Sequence, residues 1–398
     1  MDGATIIRML VLKGGERLPV LLGRTSMQPL FDPLVYVTSR LRGRAANTVQ
    51  QHLVGLQVLL GFCSERHIEL ADRVRSGEFF STSELDGLVA STSRGRAPGA
   101  SKLPPRRLSR QTNANRLRAI RAYLAWMSAR RLHELSAGER FPERYRLARE
   151  RLLLELQARL PSVRVQIGQR TGLTHKQRLQ LLSAIDPDSP SNPWASRRCR
   201  ARNFLILRLL YELGIRRGEL LALRLEDIDV RQCRLSIRRR HDDPRDPRRR
   251  QPVAKTEERI LEIEPGLSSG LSSYILKSRH LLPASRKHGF LFIDTRLGAP
   301  LSSSGLDKVF AQLRAVSGLP ADLTSHVLRH DWNERFSDLM DEKGVKPGDE
   351  QRLRMFLQGW TWAGSAQRYN RRHIVKRANE ALLAMQLRAL PNGAIDER

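Results

Sequence analysis

Two short apolar runs open the chain, residues 5–12 and 17–22, on either side of Lys13-Gly14-Gly15-Glu16. Paired glycines tolerate the positive φ of a tight turn, so residues 4–23 are expected to form a β-hairpin. From Pro29 to about Leu160 the apolar spacing takes the period of a helix. The clearest stretch is 47–67, where Val49, Leu53, Leu56, Leu59, Leu60 and Cys63 share one stripe. A Ser, Gly, Pro and Arg-rich insert at 91–109 reads as a flexible basic loop. Helical spacing resumes at 113–132 and 142–160. Residues 161–172 carry no sustained period and end in breakers, Pro161 and Gly172, which marks a linker.

Beyond it the pattern is mixed. Thr174 is placed to cap a helix over 176–185. A helix at 200–213 and a short one at 219–223 follow, then strand candidates at 234–238, 259–264 and 290–294, then four further helices. No repeat of fixed period is present. The expected organisation is a hairpin extension at 1–25, a helical domain at 26–160, the linker, and a second domain at 173–398. The fold class is mainly α with a small antiparallel sheet (α+β).

Composition adds a partner. The 398 residues suffice for two domains, and 40% of them are hydrophobic, as a folded chain requires. Seventy basic residues against 41 acidic ones give a formal charge of +29. So large an excess on a folded chain points to a polyanion, because neutralising phosphates releases counterions. Charge alone suits an RNA-binding protein equally. Only ten of the basic residues are Lys; Arg is the better bidentate phosphate ligand, although a GC-rich genome gives the same bias for no functional reason. Cys63, Cys199 and Cys233 lie far apart with no CxxC pair, which argues against a zinc site and a disulfide scaffold and fits a reducing compartment. The first apolar stretch is broken by Arg8 and ends at Lys13, too short for a membrane span or signal peptide. A cytoplasmic protein is expected.

Four features carry chemistry. In Leu213-Gly214-Ile215-Arg216-Arg217-Gly218-Glu219 an apolar helix ends at a glycine and an arginine follows at a helix junction. In His326-Val327-Leu328-Arg329-His330 a guanidinium able to clamp a phosphodiester shares a helix face with imidazoles able to move a proton. Tyr369 lies nine residues after Trp360, with Arg368 before it and Arg371 soon after, in a positive potential that favours a phenolate. Lys255 is expected in a hairpin turn just ahead of a strand candidate, as the sole lysine between Lys176 and Lys277, and lysine can donate a proton where arginine effectively cannot. Taken singly, each of these is an ordinary surface or packed residue.

In this order, Arg, Lys, HxxR, then Gly-Trp and Tyr, they resemble the catalytic domain of the tyrosine recombinase (phage integrase) family over about residues 173–390. The helical domain is similar, more loosely, to that family's core-binding (SAM-like) domain. The resemblance implies that Arg216 and Arg329 clamp the scissile phosphate, that Lys255 protonates the leaving 5′-oxygen, and that His326 assists proton transfer. Tyr369 would attack. Trp360 stands where the family more often has His; an indole donates one hydrogen bond but shuttles no proton. Trp362 is the alternative for that place, with its spacing to Tyr369 two residues short. Glu219 matches an acidic position that orients the cations, and His330 a frequent residue supporting them. No metal and no cofactor are implied, and no GxxxxGK[ST] loop occurs.

The resemblance also implies a two-domain C-shaped clamp on duplex DNA and four protomers on two sites at synapsis, with related recombinases or directionality factors as further partners. Residues 231–250 contain nine arginines, among them Arg238, Arg239, Arg240, Arg248, Arg249 and Arg250; this stretch is either a DNA-backbone contact delivering Lys255 or a solvated loop. A helix at about 373–387, with Ile374, Ala378, Ala381, Leu382 and Met385 on one stripe, would dock on a neighbouring protomer or on its own core. The hairpin would serve as an arm-site reader, a protein contact or a cap. Competing readings are a metal-dependent transposase or nuclease using Asp227, Asp229, Asp242 or Asp243, a type IB topoisomerase, and a catalytically silent DNA-binding accessory protein.

Overall fold

In the computed structural model the turn at Gly15, φ +90°, lets the chain reverse between β1 (Thr5–Val11) and β2 (Arg17–Gly23). The strands pair antiparallel from Thr5 opposite Gly23 to Val11 opposite Arg17. The structure describes residues 4–95, 106–135, 140–162 and 172–362, together with Leu382 and Met385. The chain divides into two units, Met1–Ile167 and Gly168–Arg398.

In the first unit the hairpin is followed by α1 (Phe31–Tyr36), α2 (Ala46–Glu65), α3 (Leu70–Ser76), α4 (Thr82–Ser93), α5 (Arg110–Glu134) and α6 (Arg140–Ala158). The expected stripe on α2 is buried at Val49, Leu53, Leu56, Leu59 and Cys63. It packs on α5, with Leu117, Ile120 and Leu124 buried there, and α5 in turn packs on α6, which adds Leu152 and Leu156 to the same core. Gly55 sets the approach of α2 to α5, since a Cβ there would lie 2.8 Å from the Ala119 Cβ. The hairpin is part of this core. Every residue of β2 is buried, and Leu18, Val20, Leu21 and Leu22 pack with α2. Within the expected basic loop at 91–109, α4 runs on to Ser93, and β3 (Arg94–Gly95) pairs with β4 (Arg106–Arg107). The residues between lie outside those described, as does most of the expected linker.

The second unit begins with α7 (His175–Ile185), whose first turn is closed by the Gln177 amide donating to Thr174 Oγ1 at 3.2 Å. After α8 (Arg197–Leu213) and α9 (Arg217–Ala222) come β5 (Ile228–Asp229), β6 (Arg234–Ile237) and β7 (Arg259–Glu262), an antiparallel sheet in the order β5-β6-β7. Helices α10 (Pro265–Tyr274), α11 (Ser303–Arg314), α12 (Ser325–Glu342) and α13 (Pro347–Gln358) complete it. α8 lies in the core with Leu205, Ile206, Leu209 and Leu210 buried, and packs against α7, α10 and α12. The strand expected at 290–294 does not form. Phe290 and Ile293 make single bridges to Arg224 and Pro300, because this stretch shares its hydrogen bonds between Leu223 and Leu301 and follows neither as a ladder. α10 went unforeseen. The helix expected at 373–387 lies outside the described residues except for Leu382 and Met385, both exposed. The fold is thus mostly helical with small antiparallel sheets. Among the described residues no helix is long and apolar enough to cross a membrane.

Candidate functional site

The site grows from a helix break. α8 stops at Gly214 in the left-handed region, φ +59°, with a Trp332 ring carbon 2.7 Å from where a Cβ would stand. A side chain is therefore excluded there on two counts. Ile215 plugs the core and Arg216, in extended conformation, starts α9. Its amide donates to Glu219 Oε2 at 2.9 Å, the return arm of a capping interaction. Its side chain, a third exposed, donates to the Gln358 carbonyl at 3.3 Å and lies 3.7 Å from Glu219 Oε1.

Arg329 approaches the same junction from α12. It is 3% exposed, and its Nη1 donates to the Gly214 carbonyl at 2.6 Å. Its guanidinium carbon lies 5.5 Å from the centre of the Trp360 ring, a cation–π contact. Trp360 is buried at 6% exposure just after the left-handed Gly359, whereas Trp362 is 70% exposed. His326 sits on the first turn of α12, exposed, one turn from the half-buried His330. The two Nε2 atoms are 3.0 Å apart and the rings meet edge to face at 4.4 Å. A proton on one imidazole is within reach of the other.

Lys255 arrives on the long irregular connection between β6 and β7, not on a tight turn. Its own side chain is exposed and forms no hydrogen bond or ion pair among the described residues. The backbone around it is fixed on both sides. A Cβ at Gly218 would stand 2.7 Å from the Val253 carbonyl, so only glycine lets this stretch lie on α9. Ala254 is buried, the Thr256 hydroxyl donates to Glu219 Oε1, and the Glu257 amide donates to the Gly359 carbonyl at 3.1 Å.

Glu219 is the acceptor at the centre, 1% exposed. Burial alone would raise its pKa, but the charge of Arg259 and hydrogen bonds from Arg259, Thr256 and the Arg216 amide outweigh it and hold the carboxyl below its ordinary value. A depressed carboxylate stabilises the fold above its unfolded-state pKa, and that contribution is lost as pH falls through the folded value. Glu219→Gln is therefore expected to melt below the wild type at neutral pH, with the gap closing only as pH falls below the ordinary glutamate value of about 4.3 towards the depressed one. Melting curves across that range check it; a gap constant with pH would show that the charge is immaterial.

The basic stretch sorts into two groups. Arg240 and Arg248 point inward. Arg240 donates to Asp227 Oδ2 at 2.9 Å and Glu226 Oε1 at 3.0 Å. Arg248 binds Asp246 Oδ2 at 2.8 Å and the carbonyls of Leu221 and Leu301, and stacks on Phe290 at 4.4 Å. For these two, the expectation of a DNA-facing cation meets side chains already committed to the fold. Arg238, Arg239, Arg249 and Arg250 are exposed. Between Arg240 and Arg249 runs a doubled tripeptide, Asp243-Pro244-Arg245 then Asp246-Pro247-Arg248. In each, the aspartate accepts the amide two residues on at 2.9 Å, so the chain turns with a three-residue step.

Tyr369 lies outside the described residues. The residues brought together are Arg216, Glu219, His326, Arg329, His330 and Trp360, with the Lys255 backbone pinned beside them. Sequence reasoning missed Arg259, 6% exposed, and the carbonyl of Gln358.

A family model described as the phage integrase family matches residues 172–372. Among curated proteins, transposase A from transposon Tn554 of Staphylococcus aureus is 34% identical over 32% of this chain and 34% of its own length. Tyrosine recombinase XerD of Halalkalibacterium halodurans is 30% identical over 32% of this chain and 38% of its own. XerC of Chlamydia trachomatis is 28% identical over 42% and 47%. The chain thus spans less than half the length of these curated relatives in the matched stretches. Among solved structures, XerH site-specific recombinase bound to difH substrate superposes with a TM-score of 0.54 at 16% identity, over 86% of this chain and 82% of that one. The Tn1549 transposon integrase with transposon right end DNA gives 0.50 at 15%, over 85% and 94%. Both show likeness of fold.

Proposed function

The chain belongs to the phage integrase family of tyrosine recombinases, and from that premise we propose that it cuts and rejoins duplex DNA at specific sites through a covalent 3′-phosphotyrosine on Tyr369, for a mobile element or phage. One observation carries the reading. Arg329, on the same helix as the His326–His330 pair, binds the Gly214 carbonyl two residues before Arg216, and Arg216 binds the Gln358 carbonyl two residues before the Trp360 ring that Arg329 covers.

Attack on a phosphodiester builds negative charge on its non-bridging oxygens, which two preorganised guanidiniums stabilise. The tyrosine oxygen bonds to phosphorus and the 5′-oxygen leaves with the bonding electrons and a proton from Lys255. His326, sharing its proton with His330, takes the phenol proton. The ester keeps the bond energy, so a 5′-hydroxyl reverses the step without ATP.

The other tyrosines support the choice of Tyr369. Tyr36, Tyr123, Tyr145 and Tyr274 are buried, and burial raises each phenol, Tyr145 and Tyr274 to about 12. Tyr211 is covered by the Arg335 guanidinium at 4.0 Å. The metal-dependent alternative fares poorly on its own residues. Asp227 is taken by Arg240 and the Arg224 amide, Asp243 by Arg224 and Arg245, and Asp229 by the Gln232 amide. Arg238, Arg239, Arg249 and Arg250 would follow the DNA backbone, with Arg240 and Arg248 fixing the stretch that presents them. Synapsis would bring four protomers onto two sites, in the cytoplasm.

The test is a nicked half-site duplex, selected by the protein from a randomised pool, incubated in excess EDTA. An SDS-resistant adduct at the 3′ end of the cut strand is expected at an undiminished rate. Loss of cutting with EDTA restores the metal-dependent reading; relaxation of plasmid without site preference favours the topoisomerase; binding with no adduct on any DNA leaves the accessory protein.

A further inference from the structure

We propose that Arg259 is a positioning residue for this reaction, holding the Lys255 stretch in register with the Arg216 helix and the Gly359–Trp360 turn. Its side chain is 2% exposed and lies where three segments converge. Nε donates to the Leu357 carbonyl at 2.8 Å, at the end of α13. Nη2 donates to Glu219 Oε2 at 3.0 Å, on α9. Nη1 is shared between Glu219 Oε1 at 3.4 Å, the Thr256 hydroxyl at 3.3 Å and the Glu257 carbonyl at 3.3 Å. Gly359 closes over the group, since a Cβ there would stand 2.7 Å from Nη1.

Only a planar guanidinium offers donors in enough fixed directions to serve all three segments. Each partner is a near neighbour of a reacting group. Thr256 adjoins Lys255, Glu219 is one turn from Arg216, and Leu357 and Gly359 lead into Trp360. A buried ion pair adds little to stability over apolar replacements of its size. Its value here is geometric, because this one side chain bonds all three segments at once. The inference rests on the reading of Lys255 as the acid for the 5′-oxygen: the phosphorus–oxygen bond breaks, the oxygen keeps the electron pair, and Nζ supplies the proton.

The experiment compares full-length wild type, Arg259→Lys, Lys255→Ala and the double variant on the selected nicked duplex with either oxygen or sulfur bridging at the 5′ side of the scissile phosphate. A thiolate leaves without being protonated, so the sulfur substrate removes the need for an acid. Each single variant is expected to cleave the oxygen substrate about 10²-fold more slowly and the sulfur substrate near the wild-type rate. The double variant is expected to be no slower than Lys255→Ala. Arg259→Lys slowing both substrates alike, or neither, overturns the inference, as does a double variant slower than Lys255→Ala. Failure of sulfur to rescue Lys255→Ala strikes the acid assignment itself and removes the basis of the inference. Melting curves and gel shifts on Arg259→Lys separate misfolding from misplacement, and Arg259→Gln repeats the comparison if the lysine variant does not fold.

Discussion

Tyr369→Phe should bind the nicked duplex as the wild type does and form no SDS-resistant adduct, a fall of about 10³-fold or more. The substitution removes one oxygen, and that oxygen is the only atom that bonds to phosphorus in the proposed step. Binding should persist because it draws on a formal charge of +29 spread through the chain, whose arginines release counterions whether or not the phenol is present. A gel shift read beside a denaturing gel measures both on one sample. An adduct on the phenylalanine variant would place the nucleophile elsewhere. Burial of Tyr36, Tyr123, Tyr145 and Tyr274 would then leave Tyr211 or a non-tyrosine group to be found.

Arg216→Lys and Arg329→Lys should each slow adduct formation by about 10² to 10³-fold, the effect of losing one preorganised donor from a developing oxyanion. A lysine keeps the charge and loses the fork that grips two oxygens. The two variants should part in stability. Arg216 is a third exposed and tied to a backbone carbonyl. Arg329 is nearly fully buried, and its loss strands the Gly214 carbonyl and uncovers the Trp360 ring. Arg329→Lys should cost about 1 to 3 kcal/mol, and Arg216→Lys much less. Single-turnover rates and denaturant melts measure the pair. A wild-type rate for Arg216→Lys would end the two-clamp account.

Helix periodicity carried most of the architecture, because a long apolar stripe such as Val49 to Cys63 has one way to be buried. What escaped notice had local physical reasons. α10 hides behind two glycines and four serines, and its signal is the cap, Glu264 accepting the amides of Gly266 and Leu267 before Pro265 opens the turn. The stretch at 290–294 is apolar because it threads the core, which composition cannot distinguish from pairing. Arg259 was hidden by an inverted pattern: on β7 it and Leu261 face inward while Ile260 stands 57% exposed. An arginine on the core face reads as solvent-facing until its partner is known, and Glu219 lies forty residues away. The site residues were legible as an order along the chain. That Gly214 receives one arginine and orients the other was not, because a carbonyl leaves no mark in a sequence.

The first hairpin has a consequence for how such a chain can be inherited or trimmed. An appendage can be lost, exchanged or tagged without harm to the domain it precedes, and domain shuffling spreads such pieces readily. β2 is no appendage, since its residues line the same interior as α2 and α5. A descendant or a proteolytic product beginning at Phe31 would open an apolar trough along α2, and its fate would be clumping or degradation. The hairpin is thus a structural part of the helical unit, and trimming it removes one wall of that interior.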